Sequence, residues 1–309
     1  MRIVSLIASA TEIACGLGLR DELVGRSHEC DVPHDVVALP ALTAPKFDVK
    51  ASSRDIDTAV KSLVGDGLAV YRVDQLLMRT LAPDVILTQD QCEVCAASLK
   101  DVEAAVCDWV GQPVRIVSLH PEKLADIWRD IRIVGAATGR AAQAGELLAS
   151  LRRRLDAAAS RRLHRRPSVL CVEWIEPAMT GGHWIPEIVQ YAGGRSLLAP
   201  AGGPSPYVSW AEIAAADPDT IVVAPCGFDV ARSIHEMAVL SGNAVWQSLR
   251  AVRESRVAVA DGNRYFNRPS PAVVDTVDIL SEVLDHLMNP NPAPRRFDDD
   301  TWRRWRPGL

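Results

Sequence analysis

Short, unbroken apolar runs alternate with helix-patterned segments from one end of this chain to the other, and that alternation limits the fold more than any other feature. Strand-length runs fall at Ile3–Leu6, Leu23–Arg26, Asp84–Thr88, Val114–Leu119, Ser168–Trp174, Thr220–Ala224 and Arg256–Ala260. Several are apolar at every residue, as in Ile221-Val222-Val223-Ala224, which suits strands covered on both faces of a parallel sheet. Helices between such strands build βαβ units with right-handed crossovers. The expected class is α/β.

Two internal echoes sharpen this. Glu12-Ile13-Ala14-Cys15-Gly16-Leu17-Gly18 near the start matches Glu187-Ile188-Val189-Gln190-Tyr191-Ala192-Gly193 past the midpoint, each read as an E-I pair opening a helix that ends on glycine. Ala82-Pro83-Asp84-Val85-Ile86-Leu87 matches Asp217-Pro218-Asp219-Thr220-Ile221-Val222, each closing a helix with Pro-Asp before a buried strand. Echoes in the same order imply two lobes of similar plan. A length of 309 residues fits two domains of ordinary size.

The expected division is an N-terminal α/β lobe over 1–119, a helical connector over 120–166, a C-terminal α/β lobe over 167–288 and a Pro/Trp/Arg-rich tail over 289–309. Within the connector, Ala137-Thr138-Gly139 is the one break. Arg140 to Leu163 then reads as a helix of about 24 residues, roughly 36 Å, long enough to run from one lobe to the other. The tail is either loose or a strap whose tryptophans dock on the body.

Charge and cysteine usage exclude some classes. A formal charge of −5 gives no basic face for nucleic acid. The run Arg161-Arg162-Leu163-His164-Arg165-Arg166, with Arg152-Arg153-Arg154, reads as a solvated helix face with cations near its C-terminal end. No stretch of about 18 apolar residues is present, so no membrane insertion is expected. Met1-Arg2 leads into a short strand pattern broken by Thr11 and Glu12, unlike an export signal, so the expected location is cytoplasmic. Seven cysteines at irregular spacing make no disulfide framework.

In open α/β sheets ligands gather at the carboxyl ends of strands. Those ends carry Ser27-His28-Glu29-Cys30, Gln89-Asp90-Gln91-Cys92-Glu93-Val94-Cys95, Trp174 with Gly181-Gly182-His183-Trp184, Cys226-Gly227-Phe228-Asp229, and Asn263-Arg264-Tyr265-Phe266-Asn267-Arg268. Cys92 and Cys95 admit three readings: a redox dithiol, half of a metal site completed by His28 or Cys30, or two small apolar packing groups. Cys226 is a further sulfur donor. Of Trp174, Trp184, Tyr207, Trp210, Tyr265 and Phe266, most sit beside Gly, Pro or Asn in expected loops. An exposed aromatic there points to a large flat ligand that stacks on it; Phe228 and Arg268 belong to the same strand ends. No Ser-His-Asp order, Walker lysine or paired carboxylates suggest turnover, so a binding protein is expected and not an enzyme.

Over roughly residues 2 to 287 the chain resembles the cobalamin and iron-chelate class of ABC-importer substrate-binding proteins. The resemblance rests on RIVSLIASATEIACGLGL, LAPDVILTQ with its echo ADPDTIVVAP, the lobe-spanning helix, and YFNRPSPAVVDTVDILSEVL. It is most similar to the cobalamin-binding branch, which carries SHECD, QDQCEVC and PCGFD in these places. The resemblance implies two Rossmann-like lobes with parallel sheets joined by one long helix, and a ligand cleft between them. It implies no required cofactor; cobalamin or another corrinoid is the ligand, lined by the Ala44-Pro45-Lys46 loop, Gln89 and Gln91, Cys92, Trp174, Trp184, Tyr207 and the Tyr265-Phe266 pair. Alternatives are a haem, iron-chelate or bare metal receptor using the thiols and His28, and a thiol enzyme acting on a corrinoid. An ABC permease is the implied partner of a monomer. However, the glutamates that secreted members present seven residues before the Pro-Asp proline are Leu76 and Ala211 here, with Asp74 and Glu212 nearby.

Overall fold

The structure is a computed structural model that describes residues 1–66, 68–90, 114–160 and 165–306. It divides into two compact units. The first comprises Met1–Pro121 with Ala125–Ser150, and the second Glu122–Leu124 with Leu151–Leu309.

The first unit is built on a four-stranded sheet in the order β2 (Leu23–Arg26), β1 (Ile3–Ser5), β5 (Val85–Gln89), β6 (Arg115–Leu119). All its pairings are parallel, and β1 and β5 are buried along their whole length. That double-sided burial is why these strands read as continuous apolar runs. A short antiparallel ribbon, β3 (Thr43–Pro45) with β4 (Tyr71–Val73), forms a separate sheet joined to β2 by the bridge between Arg26 and Ala41. Its brevity and mixed composition hid it from the sequence reading.

The second unit carries the order β12 (Trp302–Trp305), β11 (Val257–Ala260), β10 (Thr220–Val223), β7 (Ser168–Trp174), β8 (Met179–Thr180), with β9 (Arg195–Ser196) also beside β7. Strands β7, β10 and β11 pair in parallel, while β8 and β12 are antiparallel additions. Its core packs Leu170, Val172, Ile221, Val223, Val257 and Val259 of these strands around Trp246.

The echoes in the sequence are echoes in space. Helix Gln75–Leu81 ends on Ala82 and helix Trp210–Ala216 on Asp217, both left-handed, with φ of 43° and 41°. The next strand then begins with an aspartate that locks onto its parallel neighbour. Asp84 Oδ2 accepts the Arg2 N–H at 2.7 Å and Asp219 Oδ2 accepts the Ser168 N–H at 2.9 Å. The other pair of helices, Ala8–Gly16 and Ile185–Tyr191, both close through a glycine with positive φ, Gly18 at 75° and Gly193 at 90°. In each the following N–H returns to a carbonyl five residues back, Leu19 to Ala14 and Gly194 to Val189. One detail is corrected: Glu12 lies in the middle of its helix, which begins at Ala8 because the apolar run before it is already helical.

The helix after Gly139 spans Ala141–Ala159, about 28 Å, so the described helix is shorter than the expected 24 residues. It starts in the first unit and finishes in the second. The arginines near its end serve the second unit: Arg154 Nη2 bonds Asp275 and Asp278 at 2.6 and 3.0 Å, and Arg165 pairs with Asp219. The tail is a strap. Residues Trp302–Trp305 extend the sheet edge, and the buried Trp302 indole donates to Glu282 Oε1 at 2.9 Å. The Arg295 guanidinium lies 4.3 Å over the Trp302 ring. Trp305 meets Trp246 edge-on at 5.6 Å.

Candidate functional site

At the carboxyl end of β2, His28 Nδ1 lies 2.7 Å from the Thr43 hydroxyl, which also reaches Ser27 Oγ at 3.0 Å. The ring packs against Tyr71 at 5.1 Å. Burial, with the Arg26 charge adding to it, pushes the imidazole down to about 4, so His28 is neutral near pH 7. Cys30 turns inward: it is 1% exposed and its Sγ accepts the Thr11 hydroxyl at 2.9 Å. Cys30 is thus turned away from solvent, while Cys92 and Cys95, the half-site that it or His28 was expected to complete, lie outside the described residues. Among the described residues no group of three or more His, Cys, Asp or Glu could hold a metal ion. Cys226, in the second unit, is a half-buried free thiol.

Gln89 closes β5 and is buried. Lys46 is exposed just after β3, its N–H donating to the Val70 carbonyl at 3.0 Å. Gln91, Cys92 and Cys95 lie outside the described residues. One group missed in the sequence, His120, also stands at these strand ends. Asp90 follows β5 and His120 follows β6, with His120 Nδ1 2.8 Å from Asp90 Oδ1. A lone histidine beside a proline carries no motif, and only the parallel register of β5 and β6, which sets Gln89 opposite Leu119, brings it to Asp90.

In the second unit three loops are welded into one surface. Gly262 and Asn263 donate their N–H groups to the Phe228 carbonyl at 3.0 and 3.1 Å. Asn267 Nδ2 donates to the Ala224 and Gly262 carbonyls at 3.0 and 2.9 Å. A Cβ on Gly262 would sit 2.1 Å from the Pro225 carbonyl oxygen, so only glycine permits this approach. The Trp184 indole N–H donates to the Phe266 carbonyl at 3.1 Å. Tyr207 is tied to β8 through a bridge with Met179.

On that scaffold the expected aromatic residues separate into two groups. Trp184, Phe228 and Phe266 are buried, and Trp210 packs edge-on to Trp246 at 5.4 Å. These four are corrected from a stacking surface to packing groups, since their faces are taken by other rings or by the core. Arg268 is also buried, its Nη2 reaching Asn263 Oδ1 at 3.1 Å. The remaining rings keep part of their surface exposed. Trp174 is half-buried and backed by Phe228 at 5.2 Å, Tyr265 is half-buried, and Tyr207 is 52% exposed. Burial pushes the Tyr265 phenol upward, so it is a neutral hydrogen-bonding ring at physiological pH. Ser205 Oγ donates to Glu173 Oε2 at 2.7 Å at the end of β7. Rigidly held rings with exposed surface can grip a broad, partly apolar molecule.

Of the two positions where the resemblance places docking glutamates, Leu76 is 77% exposed and Ala211 is exposed. The neighbouring carboxylates are committed to helix starts. Asp74 Oδ1 accepts the Leu77 N–H at 2.9 Å, and Glu212 forms a capping box with Ser209. No described helix is long and apolar enough to cross a membrane.

The chain matches the family model described as periplasmic binding protein over residues 3–263. The vitamin B12-binding protein of Vibrio cholerae serotype O1 is 24% identical over 289 residues, covering 92% of this chain and 88% of the relative. Among solved structures, the periplasmic vitamin B12 binding protein of Vibrio cholerae superposes with a TM-score of 0.61 at 20% identity, covering 93% of this chain and 98% of that one. A periplasmic heme binding protein from Pseudomonas aeruginosa gives a TM-score of 0.69 at 19% identity, covering 95% of each chain. These structural likenesses speak to the fold. The periplasmic description of the family pulls against the cytoplasmic expectation.

Proposed function

The chain belongs to the periplasmic binding protein family, whose members bind solutes and are not enzymes, and from that premise we propose that it binds a corrinoid reversibly as the ligand-holding component of uptake or as a carrier. One observation carries the reading: Trp174, half-buried and backed by Phe228, and Tyr207, 52% exposed, flank Met179 of β8, which pairs with both. A corrin ring offers apolar faces for stacking and amide-bearing edges for hydrogen bonding. The cobalamin-binding relative, matched over most of both chains, supports that ligand over other flat chelates.

Docking to a permease is not part of the proposal, since Leu76 and Ala211 stand at the helix starts and Asp74 and Glu212 serve as caps. The proposal holds in either compartment. Titration of the protein with cyanocobalamin should give a saturable isotherm and a shift in the corrinoid absorption. Trp174→Ala and Tyr207→Ala should each weaken binding roughly five- to tenfold, in line with about 1 kcal/mol per stacked ring. A flat titration with cobalamin and cobinamide overturns the reading, and tight binding of ferric haem in its place would reassign the ligand.

A further inference from the structure

The segment that carries Tyr207 is joined to the second unit by an incomplete ladder. Residues 202–208 run antiparallel to residues 178–183 in the register set by the Met179–Tyr207 bridge. Thr180 donates its N–H to the Pro206 carbonyl at 3.1 Å, Val208 to the Ala178 carbonyl at 2.9 Å and His183 to the Gly203 carbonyl at 2.6 Å. In a regular antiparallel ladder each residue of such a facing pair also returns a bond. In this register Pro206 stands opposite Thr180 and Pro204 opposite Gly182, and neither has an N–H to give. Two backbone donors are therefore missing just before the tyrosine.

Ser205 supplies a connection in their place. The Gly182 N–H, which a regular ladder would pair with the Pro204 carbonyl, goes to Ser205 Oγ at 3.0 Å. The same hydroxyl donates to Glu173 Oε2 at 2.7 Å. One side chain thus ties the segment both to the turn after β8 and to the end of β7. The approach is close: a Cβ on Gly182 would lie 2.6 Å from the Gly203 carbonyl oxygen, so only glycine permits it. Trp174 follows Glu173 directly and pairs with Met179 from the side opposite Tyr207. The Ser205 hydroxyl therefore links the strand of one exposed ring to the segment of the other.

We propose that Ser205 is a positioning residue that sets the Tyr207 segment in its binding arrangement before the ligand arrives; the inference rests on the ligand reading above. Ser205 acts through Tyr207 and not by contact of its own. A segment that must be ordered on binding subtracts that ordering from the affinity, and one already fixed does not. Threonine carries the same donor and acceptor as serine, and alanine carries neither.

Amide hydrogen exchange of the ligand-free protein and titration with cyanocobalamin test this together. In Ser205→Ala the Gly182 and Val208 amides should exchange roughly tenfold faster, while those of β10 and β11 keep wild-type rates. Its affinity for cyanocobalamin should fall about five- to tenfold, the scale of one lost hydrogen bond. Ser205→Thr should restore both. In a Tyr207→Ala background, adding Ser205→Ala should weaken binding by less than about twofold, because the ring it positions is gone. Losses that multiply in full in the double variant, or wild-type exchange at Gly182 in Ser205→Ala, overturn the inference and leave corrinoid binding intact. A wild type that takes up neither cobalamin nor cobinamide overturns both.

Discussion

His28 and Asp219 show how single side chains set the acid response of this protein. His28 falls from 6.5 to about 4 on folding because burial and Arg26 disfavour its charged form. Above pH 6.5 it is neutral in both states, and its contribution is complete. As pH falls from 6.5 toward 4 the unfolded chain takes up the proton first, so stability is lost across that window. Asp219 behaves differently. Burial works against its carboxylate, but hydrogen bonds from Arg165, Ser168 and Arg250 outweigh it and hold the group well below 3.8. Its contribution survives to lower pH and is lost only once acid reaches the ordinary carboxylate range and beyond. The melting temperature of His28→Gln should therefore be flatter than wild type between pH 6.5 and 4, while that of Asp219→Asn should be lower at pH 7 and converge on wild type at the acid end. Parallel curves for wild type and His28→Gln would contradict the first half of this.

At the scale of elements, the two left-handed helix ends make a controlled comparison. Ala82 and Asp217 adopt almost the same conformation without a glycine's freedom, at a cost of roughly 1–2 kcal/mol each. Ala82→Gly should relieve that strain and raise stability by up to about 1 kcal/mol in denaturant unfolding. Asp217→Gly should gain less or lose, because Asp217 also accepts Arg250 at 3.1 Å on each carboxylate oxygen. Equal gains at both sites would refute the contrast. The major strands were legible in the sequence because burial on both faces leaves a continuous apolar run, and β2 and β7 fall on their expected residues. The additions β3, β4, β8, β9 and β12 were not, being two to four residues long or, like Trp302-Arg303-Arg304-Trp305, mixed in polarity. The aromatic residues were legible as a set, but not which of them keeps an exposed surface. Trp210 and Tyr207 sit in similar local sequence, and only the distant Trp246 decides that the first is packed. Asp90 and His120 pair across thirty positions through strand register, which no local pattern records.

For the molecule as a whole, ligand binding and folding are linked. A ligand that binds only the folded chain, supplied at 100 times its dissociation constant, adds about 2.7 kcal/mol of apparent stability. Cobalamin at that excess should raise the thermal midpoint measurably, and Trp174→Ala should need a correspondingly higher concentration for the same rise. No shift at any concentration would count against specific binding. The doubled plan reaches beyond the turns. Each unit sets an aspartate at the start of a central parallel strand to receive the N–H of its neighbour, at Asp84 and at Asp219. The second unit departs from this plan by recruiting β12 to the far side of β11. During synthesis, β11 leaves the ribosome well before residues 302–305 exist. Its outer flank then stays bare through the making of the long helix Val273–Met288, open to wrong partners until those last tryptophans arrive.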